Sequence, residues 1–116
     1  MKEAQFSREV TQYLESNGAI VNNQTGSMFS KVGVSDLLVC YKGFFIALEL
    51  KTGRYTADPL QISYLQKVRE AGGFGLILRD TLQELMVLLS CIDNGIEKQY
   101  MQPELPEIKV DEIDYD

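Results

Sequence analysis

Phe6, Val10, Tyr13 and Leu14 recur every three or four residues, a period that predicts a helix over residues 2–17 with Asn17-Gly18 as its stop. Glu3 precedes Val10 by seven residues, about 20° away around the axis, and so falls on the side that faces the protein, whereas Glu9 and Glu15 lie off that stripe. Ala19 to Val21 reads as a short strand. Residues 22–31 are polar and contain Gly and Ser, which marks a loop or a weakly formed strand with amide and hydroxyl donors. The period then shortens. Leu37, Val39 and Tyr41 alternate with Leu38 and Cys40, and Ile46 and Leu48 with Phe45 and Ala47, two strands apolar on both faces and therefore expected to be covered on both.

Lys42-Gly43 separates these runs, and as a two-residue hairpin loop it sets Tyr41 opposite Phe44. Thr52 to Ala57 is a loop. Asp58-Pro59 then supplies an N-cap and a first-turn proline for a helix that runs to about Ala71 and stops at Gly72-Gly73. Gln61 is in line with Leu65 and Val68 on that helix, so an amide points inward unless it snorkels at the helix end. Phe74 to Arg79 is a last strand, and Thr81-x-x-Glu84 reads as a capping box opening a helix to about Ser90. The order is α-β-β-β-α-β-α without internal repeats, an α/β fold with a mixed central sheet flanked by helices.

The hairpin register has a chemical consequence: it places Asp36 directly across from Glu49. Opposed side chains have Cβ atoms about 4.5–5.5 Å apart, and like charges at that distance repel. A divalent cation would compensate them. Lys51, two residues beyond Glu49, shares its face. A hard cation such as Mg2+ prefers oxygen, and Asp36, Glu49 and the Leu50 carbonyl would supply part of that shell, with Lys51 beside the reacting phosphate. Spacing alone equally accommodates a structural Glu49–Lys51 ion pair with Asp36 capping a turn.

At 116 residues the chain is expected to form one domain. Its net charge of −6 is unevenly placed: residues 93–116 carry eight acids against Lys98 and Lys109, while residues 1–92 hold nine acids and nine bases. The expected division is therefore a neutral domain over 1–92 and an acidic extension over 93–116, either simply solvated or a competitor with a polyanion for the site. The chain has no histidine, which removes Ser-His-Asp and Cys-His catalysis and His-based zinc sites. There is no Gly-rich phosphate loop or dinucleotide fingerprint, so no nucleotide cofactor is expected. Cys40 and Cys91 read as reduced core thiols. Without an apolar signal segment or membrane span, the expectation is a soluble intracellular protein of the cytoplasm.

Gly33-Val34-Ser35-Asp36-Leu37-Leu38-Val39, then Ile46-Ala47-Leu48-Glu49-Leu50-Lys51-Thr52-Gly53, then Gln61 opening a helix that ends in Gly72-Gly73, resembles the PD-(D/E)XK nuclease superfamily. More closely it resembles the virus-type replication-repair nuclease (VRR-NUC) domain of the stand-alone phage type. The likeness covers about residues 3–86. It implies a restriction-endonuclease-like PD-(D/E)XK core, Asp36 and Glu49 as ligands of Mg2+ (with Mn2+ as a substitute), Lys51 as catalytic lysine, Gln61 beside the site, and Glu3 as the acidic residue of the first helix. Ser35 stands where the family usually has proline, which bears on the approach to the aspartate rather than on the ligands.

The resemblance also implies a homodimer that hydrolyses branched DNA, as a Holliday junction resolvase does, in phage or bacterial replication, recombination and repair. Lys31, Lys42, Arg54 and the amides of residues 22–27 are candidate phosphate contacts. A catalytically silent nuclease fold that binds DNA or protein is the alternative, and a nuclease of RNA or of duplex ends is a third.

Overall fold

Both residues of the Lys42-Gly43 loop have positive φ, 48° and 87°, the combination that matches a two-residue turn to the right-handed twist of its strands. The turn joins β2 (Leu37–Tyr41) to β3 (Phe44–Lys51), and Tyr41 pairs with Phe44 in the expected register. The computed structural model describes residues 1–24 and 33–108. Within them, β1 (Ile20–Asn23) adds to β2 antiparallel, and β4 (Phe74–Arg79) pairs with β3 in parallel, giving the order β1-β2-β3-β4. A parallel pair needs a crossover, here α2 (Pro59–Glu70). The remaining helices are α1 (Glu3–Ser16) and α3 (Gln83–Asp93), and none of the described helices is long and apolar enough to cross a membrane.

The two sheet faces differ. Leu37, Val39 and Tyr41 with Ile46, Leu48 and Leu50 turn into the main core, where they meet Phe6, Val10 and Leu14 of α1 and Leu85, Leu88 and Ile92 of α3. Each such side chain contributes about 1.5–3 kcal/mol by leaving water. On the other face α2 lays Leu65 and Val68 against Ala47, and it approaches so closely that a Cβ on Gly75 would stand 2.8 Å from the Leu65 carbonyl oxygen. Coverage on this face stops short of the turn. Ile20, Cys40 and Phe45 lie side by side by register and are exposed, Ile20 by 73% and Phe45 by 44%. The expectation of a sheet covered on both faces, with Cys40 as a core thiol, is therefore corrected: α2 packs over β3 and β4 and leaves the hairpin end of β1 and β2 open on this face. Cys91 is half-buried, and both thiols are free.

Two other expectations change. The Thr81/Glu84 capping box does not form, because Glu84 instead accepts a hydrogen bond from the Tyr100 hydroxyl, and α3 begins after Leu82 with no side-chain cap of that kind. The helix also runs past Ser90 to Asp93, whose carboxylate accepts from the Tyr41 hydroxyl and from Lys42 Nζ, each at 2.6 Å. The 92/93 division thus falls inside α3. Beyond it, residues 94–108 are not a free extension: after a 3-10 turn at Glu97–Gln99, the chain crosses the open edge of β4. There the Gly75 N–H donates to Gln102 Oε1 at 2.8 Å, Gln102 Nε2 donates to the Gly73 carbonyl at 3.3 Å, and Arg69 donates to the carbonyls of Gly75 and Pro103. One side-chain amide and one guanidinium satisfy an edge that would otherwise offer itself to another strand.

Candidate active site

β3 outruns its antiparallel partner. The β2–β3 ladder ends at Leu37↔Leu48, while β3 continues through Glu49, Leu50 and Lys51 with only β4 beside it in that ladder. Asp36 bends at the end of β2 and accepts from the Leu50 N–H at 2.8 Å, so its carboxylate takes the place of the next ladder bond. A residue's N–H and C=O point to the same side of a strand; the Leu50 carbonyl therefore faces the Asp36 side as well. Glu49 and Lys51 share the opposite phase of β3, as period-2 geometry requires.

Glu49 is 0% exposed. Its Oε1 accepts from Gln61 Nε2 at 2.9 Å and lies 3.6 Å from Lys51 Nζ, whereas its Oε2 is buried without a hydrogen-bond partner. Burial, then the hydrogen-bonding and charge of Asp36, push the Glu49 carboxyl up to about 8, and Lys51 offsets only part of this. Asp36 thus acts on Glu49 as a second acid at the same end of the sheet. Gln61 does two jobs: its Oε1 accepts from the Asp58 N–H and its backbone N–H donates to Asp58 Oδ1, closing the capping box of α2, while its amide nitrogen holds Glu49. The inward amide is therefore satisfied at both ends.

A cleft of about 430 Å³ opens beside Asp36 and Leu50, walled by Glu3, Ser7 and Arg8 of α1 and by Asn23 of β1. With about 30 Å³ per liquid water, it has room for a hydrated cation and a phosphodiester. Glu3 reaches this cleft, as its phase on α1 suggested, though it stays exposed. Among the described residues, His, Cys, Asp and Glu nowhere gather in groups of three that could hold a metal, so Glu3 stands outside the Asp36–Glu49 pair.

The candidate phosphate contacts separate. Arg54 is exposed on the loop that follows Lys51. Lys42 sits at the hairpin tip, seven residues and about 23 Å along the strand from Glu49 at 3.3 Å per residue, and is paired with Asp93 at 2.6 Å; the structure does not bring it to the site. Lys31 and residues 25–27 lie outside the described residues. Asn23, one of the candidate amides of residues 22–27, lines the cleft, whereas Arg8 and Ser7 were not singled out from the sequence. Ser7, four residues beyond Glu3, carried the only signal, a polar pair on one side of an otherwise amphipathic helix.

No family model and no curated protein matches the sequence. Solved structures do. A VRR_NUC domain superposes with a TM-score of 0.60 at 21% identity, over 76% of this chain and 94% of that one. The chain thus has the fold of that VRR_NUC domain, a mixed four-strand sheet with flanking helices. A second similar structure is Hjc of Archaeoglobus fulgidus, a Holliday junction resolvase from an archaeal hyperthermophile, with a TM-score of 0.50 at 18% identity over 66% of this chain and 65% of that one.

The site fits a hard divalent cation on its own chemistry. An orphaned, buried carboxylate oxygen beside a second carboxylate is costly unless protonated or bound to a positive ion, and the donors present are all oxygen. The set would be Asp36, Glu49 and the Leu50 carbonyl.

Proposed function

We propose that the protein is a Mg2+-dependent, structure-specific DNA endonuclease that hydrolyses phosphodiester bonds in branched DNA, acting as a homodimer in phage or bacterial replication, recombination and repair. The observation that carries this reading is Glu49: fully buried, with one oxygen held by Gln61 and Lys51 and the other left without a donor beside Asp36. A residue that served only to pair with Lys51 would have no need of a second, repelling acid.

In this reading Asp36, Glu49 and the Leu50 carbonyl hold the cation. When bound, the cation neutralises the carboxylate pair and polarises a phosphate oxygen. Gln61 fixes the rotamer of Glu49, and the hydrogen bond from the Leu50 N–H fixes that of Asp36. Lys51, its side chain only 13% exposed and tethered at 3.6 Å to Glu49, positions the attacking water and stabilises negative charge developing on the phosphate. Arg8 on the cleft wall and Arg54, exposed on the loop after Lys51, neutralise backbone phosphates.

The test is cleavage of a synthetic four-way junction, with linear duplex, single strand and RNA as comparisons, in Mg2+, in Mn2+ and in EDTA. Paired nicks at the branch that require the metal support the proposal. Binding without cuts under all metals would make the protein a silent binding module, and preference for duplex ends or RNA would change its substrate.

A further inference from the structure

The loop after Lys51 is braced from β4. Arg79, paired in register with Lys51, donates through Nη1 to the Gly53 carbonyl at 2.8 Å and also to the Tyr55 carbonyl. Asp80 accepts from the Gly53 N–H at 2.9 Å while its own N–H donates to the Lys51 carbonyl at 3.2 Å, and Tyr55 N–H donates to Thr52 at 3.3 Å. Asp80 holds a left-handed φ of 59° to do this, a conformation that a non-glycine residue adopts at some cost. Thr52 and Ala57 are buried and anchor the two ends.

Every one of these bonds ends on a main-chain group of the loop. Its shape is therefore set without help from the side chains it carries. What it displays is an arginine and a tyrosine, Arg54 exposed and Tyr55 73% exposed. The Thr52–Tyr55 turn keeps their backbone within about 7 Å of Thr52, next to Lys51. A large aromatic ring held in water on a braced backbone has lost little to gain from the protein itself, and ordering the loop in advance lowers the cost of using that ring in a complex.

We infer that Tyr55 is a stacking prong that selects DNA with an unpaired or splayed base beside the scissile phosphate. Bases inside a continuous duplex hide their faces against their neighbours, whereas a branch point can present one. Arg54 holds the adjoining phosphate without regard to structure, and Tyr55 discriminates. Arg79 and Asp80 are positioning residues that act through the loop. This inference rests on the nuclease reading above.

The experiment measures equilibrium binding by fluorescence anisotropy, with Ca2+ in place of Mg2+, to a four-way junction and to a linear duplex of the same sequence. Tyr55→Ala is expected to weaken junction binding by about 5- to 100-fold and to leave duplex binding unchanged. Tyr55→Phe, which keeps the ring, restores the preference, and Arg79→Ala, which keeps Tyr55 but removes its brace, loses much of it. Arg54→Ala weakens both substrates alike. 2-Aminopurine placed at the branch reports the contact directly: its emission is quenched by the wild type and recovers with Tyr55→Ala. An unchanged junction-to-duplex ratio, or equal loss on both, in a wild-type protein that binds and cuts overturns the stacking role alone. A wild type that binds neither DNA overturns the inference together with the nuclease reading.

Discussion

Replacing Glu49 with glutamine separates a site built for a cation from one built for folding. In the metal-free protein Glu49 titrates near 8 instead of 4.5, chiefly because it is buried and secondly because Asp36 stands against it. Between those values the unfolded chain has released the proton and the folded chain still holds it. Stability must therefore fall as pH rises through this window, at about 1.4 kcal/mol per unit when the difference is complete. The ceiling across the window is about 5 kcal/mol, and about 2–5 kcal/mol is expected because the site relaxes around the buried charge.

Glu49→Gln cannot ionise, and its side-chain oxygen can still accept from Gln61. Below pH 4.5 both proteins are neutral at this position and differ little. At pH 8.5 in EDTA the variant is expected to be the more stable by about 2–5 kcal/mol. Urea unfolding of both proteins at several pH values reads the difference free of other titrating groups. Mg2+ should then raise the wild type alone, by about 2.7 kcal/mol at a hundred times its dissociation constant, while the variant gains nothing. A difference between the two proteins that stays flat from pH 4 to 8.5, or that favours the wild type at high pH, would refute the argument that Glu49 is a buried acid awaiting a cation.

Lys51→Ala is expected to lower junction cleavage by about 100-fold or more while leaving junction binding in Ca2+ nearly intact; retained turnover would remove Lys51 from the mechanism. Ser35 is 0% exposed and its hydroxyl has no partner among the described residues. Ser35→Ala should then stabilise the fold by about 1 kcal/mol in urea, and a loss of that size would mean that the hydroxyl is bonded after all. Removing residues 109–116, which carry much of the acidic excess beyond the packed segment, should tighten DNA binding at low salt and do little at high salt. Equal affinity at both salts would leave those residues without a part in binding.

Much of the fold was legible because it is written in local chemistry. Lys42-Gly43 set the hairpin turn and with it the register, and Asp58-Pro59 set where α2 begins. The apolar stripe of Phe6, Val10 and Leu14 marked the buried side of α1. From these alone Asp36, Glu49 and Lys51 could be expected on one face at the end of the hairpin, the family resemblance set Gln61 beside them, and the structure brings those four together. Each depends on neighbours a few residues away or across one tight turn, where the period of the chain is a reliable ruler.

What only the tertiary structure decided are the contacts between segments far apart in the chain. Glu84 could cap its own helix or receive Tyr100, and packing of Tyr100 against Phe74 chose the second. Gln102 meets the edge of β4, Arg8 enters the cleft, and Arg79 takes hold of the loop beyond Lys51, none with a local signature. Cys40 reads as core by pattern yet is exposed, because a strand's alternation says which residues share a face but not how far a helix reaches across it. The same division runs through Glu49. Its place on the strand follows from a two-residue turn, but its burial, which raises its proton affinity and makes a cation worth binding, comes from α2 and the sheet closing around it.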